Sequence, residues 1–110
     1  MKKITEREKY IIERIRDRVK EKDASAEVIL YGSHASGNAR EGSDWDILIL
    51  LDMEEVNLKV EQDYRHYLLD LELEIGEPIS VTVYSKKSWE TRHSVTPLYR
   101  SINREGITLT

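Results

Sequence analysis

Val28-Ile29-Leu30-Tyr31-Gly32-Ser33 and, ten residues after Ser33, Ser43-Asp44-Trp45-Asp46-Ile47-Leu48-Ile49-Leu50-Leu51 decide how this chain folds. The first stretch is an apolar run that empties into a Gly-Ser turn; the second is an apolar run opened by a serine and two acids. A strand ending on a glycine turn can aim backbone N–H groups at phosphate. A strand beginning with two carboxylates presents the hard oxygen ligands that Mg²⁺ prefers. Alternation places Asp44, Asp46, Leu48 and Leu50 on one face and Trp45, Ile47, Ile49 and Leu51 on the other. Both faces are mostly apolar beyond Asp46, so this strand is expected to be central and buried. Two carboxylates on one face of such a strand repel each other and lose hydration, a cost that a divalent cation removes. A Gly-Ser pair alone is an ordinary turn, and Asp-x-Asp alone an ordinary solvated loop. Together, with Gly37 and Ser43 between them, they point to phosphoryl or nucleotidyl transfer.

Working outward, residues 6–21 read as an amphipathic helix. Thr5 with Glu8 makes a capping box, and Ile11, Ile12, Ile15 and Val19 recur at helical spacing. Strands are expected at 26–32 and 44–52, with one short helical turn at 33–38 ended by Gly37. A second long helix covers 57–75, carrying Val60, Tyr64, Tyr67, Leu68, Leu71 and Ile75 on one side, capped by Gly76 and followed by Pro78. Residues 79–84 alternate as a third strand, with Ile79, Val81 and Val83 opposite Ser80, Thr82 and Tyr84. A short helix at 86–91 and a last one from Pro97 to Arg104 complete the chain. Thr96 caps the latter, Pro97 suits its first position and Gly106 stops it. The order α-β-α-β-α-β-α-α gives a small sheet with helices packed mainly on one side, an α/β (α+β) fold; strand direction is not legible from the pattern.

The Gly-Ser, further Gly and Asp-x-Asp resemble the signature of the nucleotidyltransferase domain of the DNA polymerase β superfamily, and most closely the minimal nucleotidyltransferases. The resemblance implies a polymerase-β-like fold with a small mixed sheet and a single nucleotidyltransferase domain over residues 1–110. It implies that Gly32 and Ser33 grip a nucleoside triphosphate, ATP being the first guess, and that Asp44 and Asp46 hold Mg²⁺, with Mn²⁺ as a substitute. The acceptor it implies is a hydroxyl on a protein or a small molecule. Such proteins are often paired with a small helical partner, frequently as toxin and antitoxin. This chain departs from the pattern in having Ser36 where many members have Arg, and in lacking an evident third carboxylate.

In the superfamily that third acid lies on a later strand, beside the first two. The matching face of strand 79–84 offers Ser80 and Thr82 instead, with Ser80 the better placed, and Glu77 just before the strand is the other candidate. A hydroxyl is a poor base for an acceptor proton. The alternative reading is therefore a catalytically degenerate module that binds nucleotide or a partner, as the antitoxin-like companion of a small helical protein would. Ser33 fits either a phosphate ligand or a helix cap. Ser43 fits nucleotide binding or, better, a turn that orients the acids. His34, beside the presumed phosphates, is expected at the surface; His66 and His93 have no metal-ligand spacing. Glu72 and Glu74 are expected to face solvent, as are Lys86, Lys87, Arg92, Arg100 and Arg104. Trp89 and Tyr99 suit the core or an interface.

Composition narrows the class further. Over 110 residues, 17 basic side chains against 21 acidic ones give a net charge of −4. That disfavours general nucleic-acid binding, which rests on neutralising phosphate with a basic surface. No cysteine is present, so disulfides and thiolate metal sites are excluded. No apolar stretch approaches the roughly 18 residues that span a bilayer, and Met1-Lys2-Lys3-Ile4-Thr5-Glu6 leads into a charged helix rather than a signal region. The expectation is a cytoplasmic protein with no membrane partner.

Overall fold

The computed structural model describes residues 4–109; residues 1–3 and 110, which open the charged N-terminal segment and close the chain, lie outside it. Helix α1 (Glu6–Lys22) starts with the expected reciprocal cap. The Thr5 hydroxyl accepts the Glu8 N–H, and the Glu8 carboxylate accepts the Thr5 N–H, both at 3.1 Å. Strand β1 (Glu27–Tyr31) runs into the short helix α2 (Ser33–Ser36), which Gly37 ends in a left-handed conformation. Strand β2 (Trp45–Leu51) follows, then helix α3 (Leu58–Ile75), capped by the Asn57 side chain at one end and by left-handed Gly76 at the other. Strand β3 (Ile79–Ser85) passes directly into α4 (Lys86–Thr91), whose first turn is capped by Ser85. Thr96 caps α5 (Pro97–Glu105), and the chain ends its described course in β4 (Ile107–Thr108).

The sheet order is β3-β2-β1-β4. β1 lies antiparallel to β2 and to β4, whereas β3, returned by the α3 crossover, lies parallel to β2. The sheet is thus mixed. β4 is the one element that sequence patterning did not reveal: two residues are too few to show a period.

Residue alternation along β2 divides the core as expected. Trp45, Ile47, Ile49 and Leu51 pack with Ile11, Ile15 and Val19 of α1 and with Tyr64, Leu68, Leu71 and Ile75 of α3. Burying each such aliphatic side chain contributes about 1.5–3 kcal/mol, so this two-helix layer carries most of the apolar stabilisation. On the opposite face Leu48 and Leu50 pack with Trp89 of α4 and Ile102 of α5, with Ile29, Tyr84, Leu98 and Tyr99 around them. The two long helices therefore cover one side, and the two short ones cover the other only over the Leu48–Leu50 half of β2. Asp46, on that second face but at the opposite end of the strand, is left half-exposed. Among the described residues no helix is long and apolar enough to cross a membrane.

Candidate active site

Gly32 joins β1 to α2 with φ +73°, a conformation L side chains rarely adopt. There is a second reason for glycine. A Cβ at this position would collide with the Asp46 carboxylate, so the turn and the acid are in direct apposition. Gly32 also occupies the cap position of α2, and Ser33 is the first helical residue rather than the cap. The Gly32 carbonyl accepts the N–H groups of Ala35 and Ser36 at 3.1 Å, which makes the turn compact.

Strand pairing brings the remaining residues to the same end of the sheet. Tyr31 of β1 lies opposite Asp46 of β2, and Asp46 lies beside Ser80 of β3, so the three form one row across three strands. Asp44 stands one residue before β2, exposed to solvent, with the Ser80 hydroxyl donating to its carboxylate at 3.5 Å. The Asp46 carboxyl is pushed above its ordinary range, first by burial and then by the neighbouring Asp44 charge; His34 opposes the shift. Two close carboxylates with one raised pKa, hard oxygen donors and a glycine that leaves room beside them form a donor set suited to a hard divalent cation. Among the described residues no third His, Cys, Asp or Glu joins them to complete a cluster.

The Ser43 hydroxyl accepts the Arg40 N–H at 2.8 Å, and its N–H donates to the Arg40 carbonyl at 3.0 Å, closing the turn just ahead of the acids. Glu77 is drawn away from the pair. Its carboxylate accepts from Arg7 at 2.9 Å, and it borders a cleft with Trp45 on the α1 side of the sheet. Of the two candidates for the third position, Ser80 is the one beside the acids.

Two expectations are corrected. His34 is not a surface residue: its side chain is only 6% exposed and its ring lies flat on Trp45, centroids 3.6 Å apart and planes within 8°. An indole across the turn, invisible to local periodicity, supplies the burial. Glu72 does not simply face solvent either. Its carboxylate accepts the Ile79 N–H at 2.7 Å, capping the first residue of edge strand β3. With Asp46, Ser80, Thr82 and Tyr31 it lines a hollow of about 510 Å³ that wraps round the β3 edge to Arg65 and His66 of α3. Tyr31 and Thr82, whose hydroxyls lie 3.4 Å apart there, were legible only as an apolar-run terminus and a polar strand position. Trp89 and Tyr99 meet at a tilt in the second core cluster, centroids 5.0 Å apart and planes 41° from parallel.

Comparison with known proteins bears on the fold and the family. Among the solved structures that share the fold, three do so at low sequence identity. A toxin–antitoxin complex with AMP-PNP superposes with a TM-score of 0.66 at 16% identity, over 90% of this chain and 72% of that one. Two mutant forms of the toxin–antitoxin MntA-HpeT give 0.65 at 14% identity, over 90% and 72%, and 0.63 at 16% identity, over 89% and 70%. No curated protein sequence matches. The sequence profile of the nucleotidyltransferase domain matches residues 12–105, which takes in the glycine turn, both acids and the β3 row, and the chain therefore belongs to the nucleotidyltransferase domain family.

Proposed function

We propose that this nucleotidyltransferase moves a nucleoside monophosphate, AMP from ATP in the first instance, onto a hydroxyl of a protein or small molecule. The observation that carries the reading is the direct backing of the Gly32 turn on the Asp46 carboxylate, with Asp44 and Ser80 at the same sheet end. Gly32 and Ser33 would hold the departing phosphates, while Ser43 keeps the acid loop in place from behind. Asp44 and Asp46 would hold Mg²⁺, or Mn²⁺ in its place; when bound, the cation supplies charge neutralisation for the attacking and leaving oxygens. The acceptor oxygen bonds to the α-phosphorus, the bond from that phosphorus to the bridging oxygen breaks, and pyrophosphate leaves. With a serine at the third position, the acceptor proton passes to water and turnover is slow. The neighbouring toxin–antitoxin structures support a partner protein for this chain, small and helical as the family resemblance implies, and a cytoplasmic setting, where triphosphates are abundant, suits the substrate.

Asp44→Asn tests the reading. Transfer of label from α-labelled ATP to acceptor should fall by at least about 100-fold, since an electrostatic contribution of this kind commonly exceeds about 2.7 kcal/mol, while circular dichroism stays unchanged. Full activity in that variant would sink the mechanism. That no third carboxylate joins the pair among the described residues favours a second reading, a module that binds Mg·ATP and a partner without chemistry. That module would show Mg·ATP binding by calorimetry and no labelled product with any hydroxyl acceptor.

A further inference from the structure

The two acids are not held equally well. Asp46 sits inside β2, paired in register with Tyr31 on one side and Ser80 on the other. Asp44 precedes the strand and is exposed, with the Ser80 hydroxyl donating to its carboxylate at 3.5 Å. What flanks it is more definite. The His34 ring lies flat on Trp45, the residue after Asp44. Its Nε2 N–H donates to the carbonyl of Ser43, the residue before, at 3.3 Å. A carbonyl of residue 43 shares its rigid peptide plane with the N–H of residue 44, so the hydrogen bond fixes the plane from which Asp44 departs. The stack fixes the residue on the far side. Behind the ring, the Glu8 carboxylate of α1 lies 3.8 Å from Nδ1, so the ring is confined on that side as well.

We infer that His34 is a positioning residue that clamps the Ser43-Asp44-Trp45 segment and so sets Asp44 for a divalent cation. The clamp has a further consequence. His34 directly follows Ser33, so one side chain ties the phosphate turn to the acid loop, and the two halves of the site keep a fixed spacing. The inference rests on Asp44 and Asp46 being a metal pair.

Mn²⁺ binding to the 110-residue chain, read by electron paramagnetic resonance without nucleotide, tests it. Partners that orient metal ligands typically contribute about 10- to 100-fold in metal affinity. His34→Ala should therefore weaken Mn²⁺ binding by about tenfold or more. His34→Phe keeps a ring for the stack without the donor, and His34→Gln keeps a donor without the ring; each should lie between wild type and His34→Ala. In transfer assays the metal half-saturation should rise while the KM for the nucleotide stays within about twofold, since only the metal ligand is released. Val19→Ala, buried in α1 away from the site, serves as a control that destabilises the fold and should leave Mn²⁺ affinity unchanged. Wild-type affinity in the His34 variants, or an equal loss in Val19→Ala, overturns the clamp. Asp44→Asn separates the two claims: loss of Mn²⁺ there with none in the His34 variants defeats the clamp alone. Undiminished Mn²⁺ binding in Asp44→Asn defeats the metal pair and the clamp with it.

Discussion

Gly32 concentrates two demands in one position: a positive φ for the strand-to-helix turn, and an empty volume that the Asp46 carboxylate fills. Gly32→Ala violates both. A non-glycine residue held at such a φ costs of order 1–3 kcal/mol, and the methyl group must displace the acid. The expected outcome is a drop in urea-unfolding stability of about 1–3 kcal/mol together with loss of labelled transfer. A variant as stable and active as wild type would show that the turn and Asp46 are not pressed together. The glycine itself was legible in the sequence, though only jointly with Gly37 and the Ser43-Asp44-Trp45-Asp46 stretch that follows it. Its apposition to Asp46 was not, since that depends on the antiparallel register of β1 and β2, which places Tyr31 opposite Asp46. His34 failed for a related reason. A polar residue on a four-residue helix reads as exposed until an indole from another strand is laid over it.

Elements set the spacing that residues alone cannot. The α3 crossover returns β3 parallel to β2 with Asp46 beside Ser80, and this register puts the Ser80 hydroxyl within reach of Asp44. The alternation of Ile79, Val81 and Val83 against Ser80 and Thr82 made that face legible from sequence, as did the helical periods of α1 and α3 and their caps. Strand direction and order were not legible, because a buried apolar run pairs equally well either way. Nor was Glu72, which sits on a long helix with solvent-exposed neighbours yet caps the first N–H of β3. Ser80→Asp would place a third carboxylate in the row. A positioned base contributes about 10²–10⁴-fold, and a fraction of that, about tenfold in initial transfer rate, is the expected gain. The same variant should be less stable without metal, since a third like charge joins Asp44 and Asp46. An unchanged rate with normal folding would mean that the acceptor hydroxyl does not approach this side of the pair.

At the scale of the whole molecule, the stabilising core and the site are separated. The α1 and α3 layer fills one face of the sheet, while the acids lie at an end of the other face that α4 and α5 leave open. Site chemistry can then disfavour the folded state locally without threatening it. Asp46 shows this in its pH dependence. Burial and the Asp44 charge raise its folded-state pKa, so the metal-free folded state binds its proton more tightly than the unfolded chain does. The stability this contributes is fully present below the ordinary carboxylate value of about 3.9 and is lost as pH rises through the raised value. Asp46→Asn should remove that dependence and stabilise the metal-free protein near neutral pH by about 0.5–2 kcal/mol, as relieved functional sites commonly do. Mg·ATP should act with the opposite sign, since a cation on the pair favours the ionised carboxylates. At a hundred times its dissociation constant a ligand adds about 2.7 kcal/mol. That increment should be small near pH 4, where about half of an ordinary carboxylate is protonated, and should grow toward neutrality. Thermal unfolding of wild type and Asp46→Asn, each with and without Mg·ATP, checks both signs in one experiment. A ligand increment that does not depend on pH, or that survives in Asp46→Asn, would place the nucleotide away from the acid pair.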